Sequence, residues 1–257
     1  MMLLVIKYGG NAIADDDAPK RFASAIKQAQ DLGYQTVVVH GGGPQISHWL
    51  DKLSLESHFV NGQRYTDEAS LQVVEMVLCG QVNKALCRAL LAEGVPAVGV
   101  SGQDGAMLKA RQNEALGLVG EICGVQSALL ESLLHNGFTP VIAPLALDEA
   151  TGQALNVNAD LSAAAVAKAL GAKKFILMTN VEGVLDGDKQ RVSILKAEMA
   201  KAWIESGVIA GGMIPKVECA LSALEGAEMA VILNGVEPET LVHYLRNPQG
   251  IGTQIIC

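Results

Sequence analysis

An α/β fold with a mostly parallel sheet is predicted by three features of this 257-residue sequence. Short apolar runs ending in glycine alternate with longer runs of helical periodicity, the order expected when each strand is followed by a crossover helix. Half of the residues are hydrophobic, enough to bury a full core. Only 4% are aromatic while 27 are glycine, which suits short buried strands under Ala-rich helices.

Residues 3–8 form a compact apolar run ending in Gly9-Gly10, read as a buried strand that delivers a turn. Asp15 to Asp17 offer an N-cap before Pro19, and Gly33 closes that helix. Residues 36–39 are a β-branched strand ending in His40-Gly41-Gly42-Gly43, with Pro44 at a first helical position. Residues 54–66 break into short pieces around Asn61-Gly62, a hairpin dipeptide. Leu71, Val74, Leu78, Val82, Leu86 and Leu90 recur at helical spacing, which predicts one long helix over residues 67–93. A strand at 97–101, a glycine-punctuated hairpin over 107–122, a helix at 127–135 and a strand at 140–143 follow. The second half reads as helix 160–170 stopped by Gly171, strand 175–178, helix 194–206, a helix framed by Pro215 and Gly226, and strand 230–233. No low-complexity linker interrupts the chain, so a boundary near residues 173–175 divides two lobes, 1–173 and 174–257, of one continuous sheet.

The formal charge of −8 argues against nucleic-acid and anionic-membrane partners, which call for a basic face. Cys79, Cys87, Cys123, Cys219 and Cys257 are odd in number and form no C-x-x-C pair, so they read as buried thiols of a reducing compartment. No stretch has the length of a signal or transmembrane segment, and a soluble cytoplasmic protein is expected.

Several motifs sit where ligands of open α/β sheets bind, beyond the carboxyl ends of strands. Lys7-Tyr8-Gly9-Gly10-Asn11 offers a point charge and backbone N–H groups to an anion, or else an exposed lysine before a plain turn. Gly41-Gly42-Gly43 opens a helix, where the dipole favours carboxylate or phosphate, and it is not a Walker A loop. His40 beside it is read as a hydrogen-bonded structural residue. Arg64 either clamps a carboxylate bidentately or is a solvated surface arginine. Alternation puts Asn156, Asn158 and Asp160 on one side of an extended segment, although Asp160 also fits a simple N-cap. Lys216 stands at the helix end that disfavours a cation, which calls for an anion or for plain exposure. The stretch from Thr179 to Val184 reads as a loop at the same sheet edge.

In their order, these motifs resemble the amino-acid kinase family along nearly the whole chain. The stretches that carry the resemblance are Val5 to Ala12, His40 to Pro44, Asn61 to Asp67, Val82-Asn83-Lys84, Ser101 to Gly105, Asn156 to Asp160 and Gly211 to Lys216. Tyr65 and Asn180 stand where that family more often has valine and aspartate, and Phe59 where some relatives have lysine. The resemblance implies an open, mainly parallel eight-stranded sheet sandwiched between helices. It also implies ATP-dependent phosphorylation of the side-chain carboxylate of N-acetyl-L-glutamate, a step of arginine synthesis. Gly42, Gly43, Arg64 and Asn156 would hold N-acetylglutamate on the N-terminal lobe, with Arg64 on its α-carboxylate. Asn180, Val181, Glu182, Gly183, Val184 and Leu185, with Ile209, Gly211 and Met213, would line the ATP site on the C-terminal lobe.

A carboxylate nucleophile needs no general base, so catalysis falls to fixed positive charge on the phosphoryl group, with Mg²⁺ on the nucleotide oxygens. Lys7 and Lys216 are assigned that role, helped by the Gly10 and Gly43 amides, with Asp160 orienting the two ammonium groups. Family members inhibited by arginine carry an extra helix ahead of the first strand. That strand begins here by about Leu3, so a homodimer paired through the helix after Pro44 and the neighbouring long helix is expected, with weak or absent arginine inhibition. Two alternatives stay open on the same fold. One is a kinase for aminoadipate or glutamate bound to an acidic carrier protein, which the mostly neutral stretch 59–63 disfavours. The other is a non-catalytic amino-acid or nucleotide sensor, which the presence of Lys7, Lys216 and Asp160 disfavours.

Overall fold

The computed structural model describes residues 2–9, 17–60 and 62–257. In chain order the elements begin β1 (Met2–Tyr8), α1 (Ala18–Asp31), β2 (Tyr34–His40), α2 (Gly43–Lys52), β3 (Phe59–Val60), β4 (Gln63–Arg64), α3 (Glu68–Glu75) and α4 (Asn83–Ala92). There follow β5 (Ala97–Ser101), β6 (Leu108–Gln112), β7 (Val119–Val125), α5 (Ala128–His135), β8 (Thr139–Ala143), β9 (Leu145–Asp148) and β10 (Ala154–Val157). The remainder is α6 (Ala159–Ala169), β11 (Lys174–Thr179), β12 (Ile194–Lys196), α7 (Ala197–Glu205), α8 (Ile214–Ala223), β13 (Ala230–Asn234), α9 (Glu239–Arg246) and β14 (Thr253–Ile256). Among the described residues no helix is long and apolar enough to cross a membrane.

Eight strands form one sheet in the order β12-β14-β13-β11-β1-β2-β8-β5. The run from β13 to β5 is parallel, and β14 turns antiparallel against β13 at one end. Successive side chains of a strand point to opposite faces, and both faces are apolar here. Leu4, Ile6 and Tyr8 of β1 join Val38, Ile176 and Val231 in a core under α1, α2, α3, α4 and α9. Val5 joins Val37, Phe175, Leu177 and Ile232 in a second core under α5, α6, α7 and α8. The strands therefore read as continuous apolar runs, as a sheet covered on both faces requires.

Several sequence-based boundaries change. The helix predicted over 67–93 is present, but its middle, Met76–Val82, winds as a π-helix between α3 and α4. Asp67 caps its start, accepting from the Ser70 amide at 2.7 Å. The predicted helix 194–206 begins later, because Ile194–Lys196 pairs with β14 as an edge strand and buries Leu195. The hairpin over 107–122 extends to Val125 and closes a four-stranded barrel, β10-β7-β6-β9, with a second hairpin that local pattern did not reveal. Asn158, not Asp160, caps α6. All five cysteines are free, but Cys123 and Cys257 are exposed instead of buried.

The same alternation decides the role of His40. It shares a face of β2 with Val38 and lies fully buried against the start of α4. Its Nδ1 faces the Gly41 carbonyl at 2.9 Å and its Nε2 faces Asn83 Nδ2 at 3.2 Å. Both contacts are satisfied by the neutral ring with its proton on Nδ1. Asn83 Nδ2 also donates to the Val141 carbonyl at 2.8 Å, so the network pins the long helix to the sheet beside the glycine turn. Burial pushes the His40 pKa down to about 4 from 6.5. Between those values the unfolded chain binds the proton more tightly, so stability is full above pH 6.5 and falls as pH drops toward 4. The loss reaches at most about 3 kcal/mol. Urea midpoints of the wild type should therefore decline through this window more steeply than those of His40→Asn, and parallel pH profiles would exclude His40 as the source.

Candidate functional site

Parity on β1 places Lys7 on the face of Val5, toward α6 and α8, at the carboxyl edge where the register aligns it with Val39 of β2 and Leu177 of β11. Its side chain is buried, and a buried ammonium demands a counter-charge. Asp160 supplies it, with Oδ1 at 2.8 Å from Nζ. Asp160 lies in the first turn of α6, the end that favours an anion. Asn158 caps that turn, its Oδ1 accepting from the Asp160 and Leu161 amides at 2.8 and 3.2 Å. A second tie comes from α8, where the Cys219 thiol donates to the Asp160 carbonyl at 3.0 Å. Burial raises the Cys219 pKa far above the usual thiol range, so it remains a donor. The same helix carries Lys216 near its start, at the wall of the cavity that Lys7 and Asp160 also line.

The glycine turn is shaped by close approach. A Cβ on Gly9 would lie 2.8 Å from the Gly41 amide nitrogen, so the exits of β1 and β2 meet only without side chains. A Cβ on Gly42 would lie 2.6 Å from Leu78 Cδ2 of the π-helical segment. Gly43 opens α2 with nothing within 4 Å of its would-be Cβ and lines the cavity. Its N–H belongs to a first turn that has no intrahelical acceptors.

Arg64 is buried, not solvated. Its Nη2 donates to the Gly43 carbonyl at 3.2 Å and to Ser47 Oγ at 2.8 Å, and its Nη1 donates to Ser57 Oγ. Burial lowers the guanidinium pKa, with Asp51 opposing that shift, yet an arginine stays charged. Asn156 on β10 lies opposite Val119 of β7, and its Nδ2 donates to Thr66 Oγ1 at 3.1 Å.

One cavity of about 360 Å³ thus gathers Lys7, Gly42, Gly43, Arg64, Asn156, Asp160 and Lys216. A larger groove of about 560 Å³ between α7 and α8 holds none of the sequence-predicted site residues. Gly10 lies outside the described residues.

The residues assigned to the nucleotide do not line the 360 Å³ cavity. Asn180 is exposed just beyond β11, its Oδ1 accepting from Thr179 Oγ1 at 3.3 Å, and Val181 is half-buried beside it. Glu182 accepts from Asn234 Nδ2 at 2.6 Å. Val184 gives its amide to Thr253 Oγ1 at 2.8 Å, and a Cβ on Gly183 would meet that same oxygen at 2.5 Å. The side chains of Val184 and Ile209 lie inside the second core, whereas Leu185 and Gly211 are exposed and Met213 is half-buried. Sequence reasoning missed Ser47, Ser57, Leu78, Val119, Asn234 and Thr253. No local pattern marks them as site residues: Leu78 shows only helical spacing, and the others matter through partners on other elements.

The model of the amino acid kinase family matches residues 2–234 of this chain. An acetylglutamate kinase of Oleidesulfovibrio alaskensis is 46% identical over 266 residues, covering 98% of this chain and 90% of its own length. An acetylglutamate kinase of Acinetobacter baumannii is 45% identical, covering 98% of this chain and 88% of its own. Among solved structures, N-acetylglutamate synthase from Neisseria gonorrhoeae, complexed with coenzyme A and N-acetyl-glutamate, has a TM-score of 0.86 at 26% identity, covering 100% of this chain and 59% of that one. With a family match over most of its length and relatives this similar from end to end, the chain belongs to the amino acid kinase family.

Proposed function

We propose that this chain transfers the γ-phosphoryl group of ATP to the side-chain carboxylate of N-acetyl-L-glutamate, giving N-acetyl-L-glutamyl 5-phosphate in arginine synthesis. The observation that carries the reading is the Lys7–Asp160 pair at 2.8 Å, in one cavity with Lys216, Arg64 and a glycine-opened helix. Two anions must be brought together there, so the site needs positive charge without a base, and that is its composition. The two relatives described above carry the corresponding name.

Lys7 and Lys216 neutralise the transferring phosphoryl group while Asp160 orients their ammonium groups and offsets their mutual repulsion. The Gly43 and Gly10 amides are assigned as further donors to it. Gly42, Gly43, Arg64 and Asn156 hold the acetylated amino acid, with Arg64 on the α-carboxylate. Asn180 to Leu185, with Ile209, Gly211 and Met213, hold ATP, through backbone where the side chains are buried. Residues 1–173 form the acetylglutamate lobe and 174–257 the ATP lobe. Mg²⁺ would enter with the nucleotide, since magnesium is commonly carried on phosphate oxygens. Free thiols and the demand for ATP support a cytoplasmic location.

A homodimer is supported by an exposed apolar patch on α2 and the π-helical segment. Trp49, Leu53 and Met76 are 37%, 50% and 61% exposed and edge a groove completed by Val73, Val77 and Gln81. A two-fold pairing of α2 and the π-helical segment would cover it.

With Mg·ATP and hydroxylamine trapping, only N-acetylglutamate among glutamate, aspartate, UMP and aminoadipate should yield acyl phosphate strongly. Lys7→Ala and Lys216→Ala should each lower kcat about 100- to 1,000-fold with the fold intact by circular dichroism. A variant with near-normal kcat would remove that lysine from the mechanism. Arg64→Ala should chiefly raise KM for N-acetylglutamate, since a clamp remote from phosphorus binds ground and transition states alike. An increase confined to the KM for ATP would reverse the lobe assignment. Sedimentation velocity should give twice the chain mass for the wild type and a monomer for Met76→Glu, and a monomeric wild type would refute the pairing.

A further inference from the structure

We propose that Phe59 is a positioning residue for carboxylate recognition, its ring seated on the face of the Arg64 guanidinium so that the guanidinium edge stays aimed into the cavity. The inference rests on the reading that this cavity takes N-acetylglutamate with Arg64 on a carboxylate. Phe59 and Arg64 are direct partners across the β3–β4 pair. The ring centroid lies 4.7 Å from Cζ, within cation–π range. Phe59 is 58% exposed, whereas Arg64 is 7% exposed beneath it. Both residues line the cavity, with Gly62 and Gln63 of the same hairpin.

The partners of Arg64 divide by direction. A planar guanidinium donates hydrogen bonds from its edge and meets π-systems with its face. The edge contacts are the Gly43 carbonyl and the hydroxyls of Ser47 and Ser57, all neutral. Among the described residues no carboxylate lies within ion-pair distance of it. Its positive charge therefore remains available to an anionic ligand arriving at the edge, where hydroxyls are exchangeable partners. The ring, 4.7 Å from Cζ, takes none of the hydrogen bonds that Nη1 and Nη2 donate, so it does not compete with that ligand for donors. It limits tilting of the guanidinium and keeps water from one side of the ion pair that forms, and both effects strengthen that pair.

The test compares Phe59→Leu, which keeps apolar bulk without a π face, with Phe59→Tyr, which keeps the ring. Binding of N-acetylglutamate is measured by calorimetry, and kcat and both KM values by hydroxylamine trapping. Phe59→Leu should weaken N-acetylglutamate binding and raise its KM about three- to tenfold. Its kcat and its KM for ATP should stay within about twofold, and Phe59→Tyr should match the wild type throughout. Wild-type values in Phe59→Leu, or a fall in kcat in place of a rise in KM, would overturn the inference while leaving the proposed reaction standing. A wild-type chain that neither binds nor phosphorylates N-acetylglutamate would overturn the proposed reaction, and this inference with it.

Discussion

The buried Lys7 ammonium is the constraint around which the site is arranged. A cation nearly excluded from water at the end of the central strand is tolerable only with an opposite charge beside it, and Asp160 stands 2.8 Å away. That pair ties β1 to the first turn of α6. Asn158 then holds the turn in shape, and Cys219 ties it to the helix that carries Lys216. Asp160 thereby pairs with Lys7 at the wall of a cavity that Lys216 also lines, and the three residues stand on three elements that the chain reaches at widely separated points.

The two faces of the sheet divide the labour. Odd-numbered residues of β1 look toward α6 and α8, so Lys7 meets charged partners there, whereas even-numbered residues of β2 put His40 among apolar helices. Burial keeps that ring neutral, and its two nitrogens fasten the turn after β2 to Asn83. A motif that begins with histidine in front of three glycines thus contains a structural latch followed by a helix start that lines the cavity. The π-helical turns serve the same turn from the other side. A wider helix brings Leu78 under Gly42, where any side chain on the glycine would collide with it.

Most of the sheet was legible from sequence because its strands are buried on both faces and end in glycine, and most helices because their apolar spacing is strong. The barrel hairpin formed by β9 and β10, together with β14, escaped notice. These are four-residue strands, too short for a period to show, and they are fixed by pairing with β6, β7 and β12 far along the chain. The start of α7 was misjudged for the same reason, since Leu195 is recruited by the edge of β14 and not by a helical face. In the site, the lysines, glycines, Arg64 and Asp160 stood out because their chemistry is unusual at a strand exit or a helix start. Ser47, Ser57 and Thr66 are common residues that acquire meaning only from a guanidinium or an amide carried by another element.

By itself the sequence determined the α/β class, the glycine exits of β1 and β2, and which charged residues stand at strand exits and helix starts. These follow from backbone freedom, hydrophobic period and side-chain chemistry, which are local properties. Only the tertiary structure decided that Asp160 serves as counter-charge instead of helix cap, that Arg64 is buried under an aromatic ring, and that His40 is neutral. Each of those outcomes depends on which groups exclude water from one another, and desolvation is set by neighbours that the linear order of residues does not name.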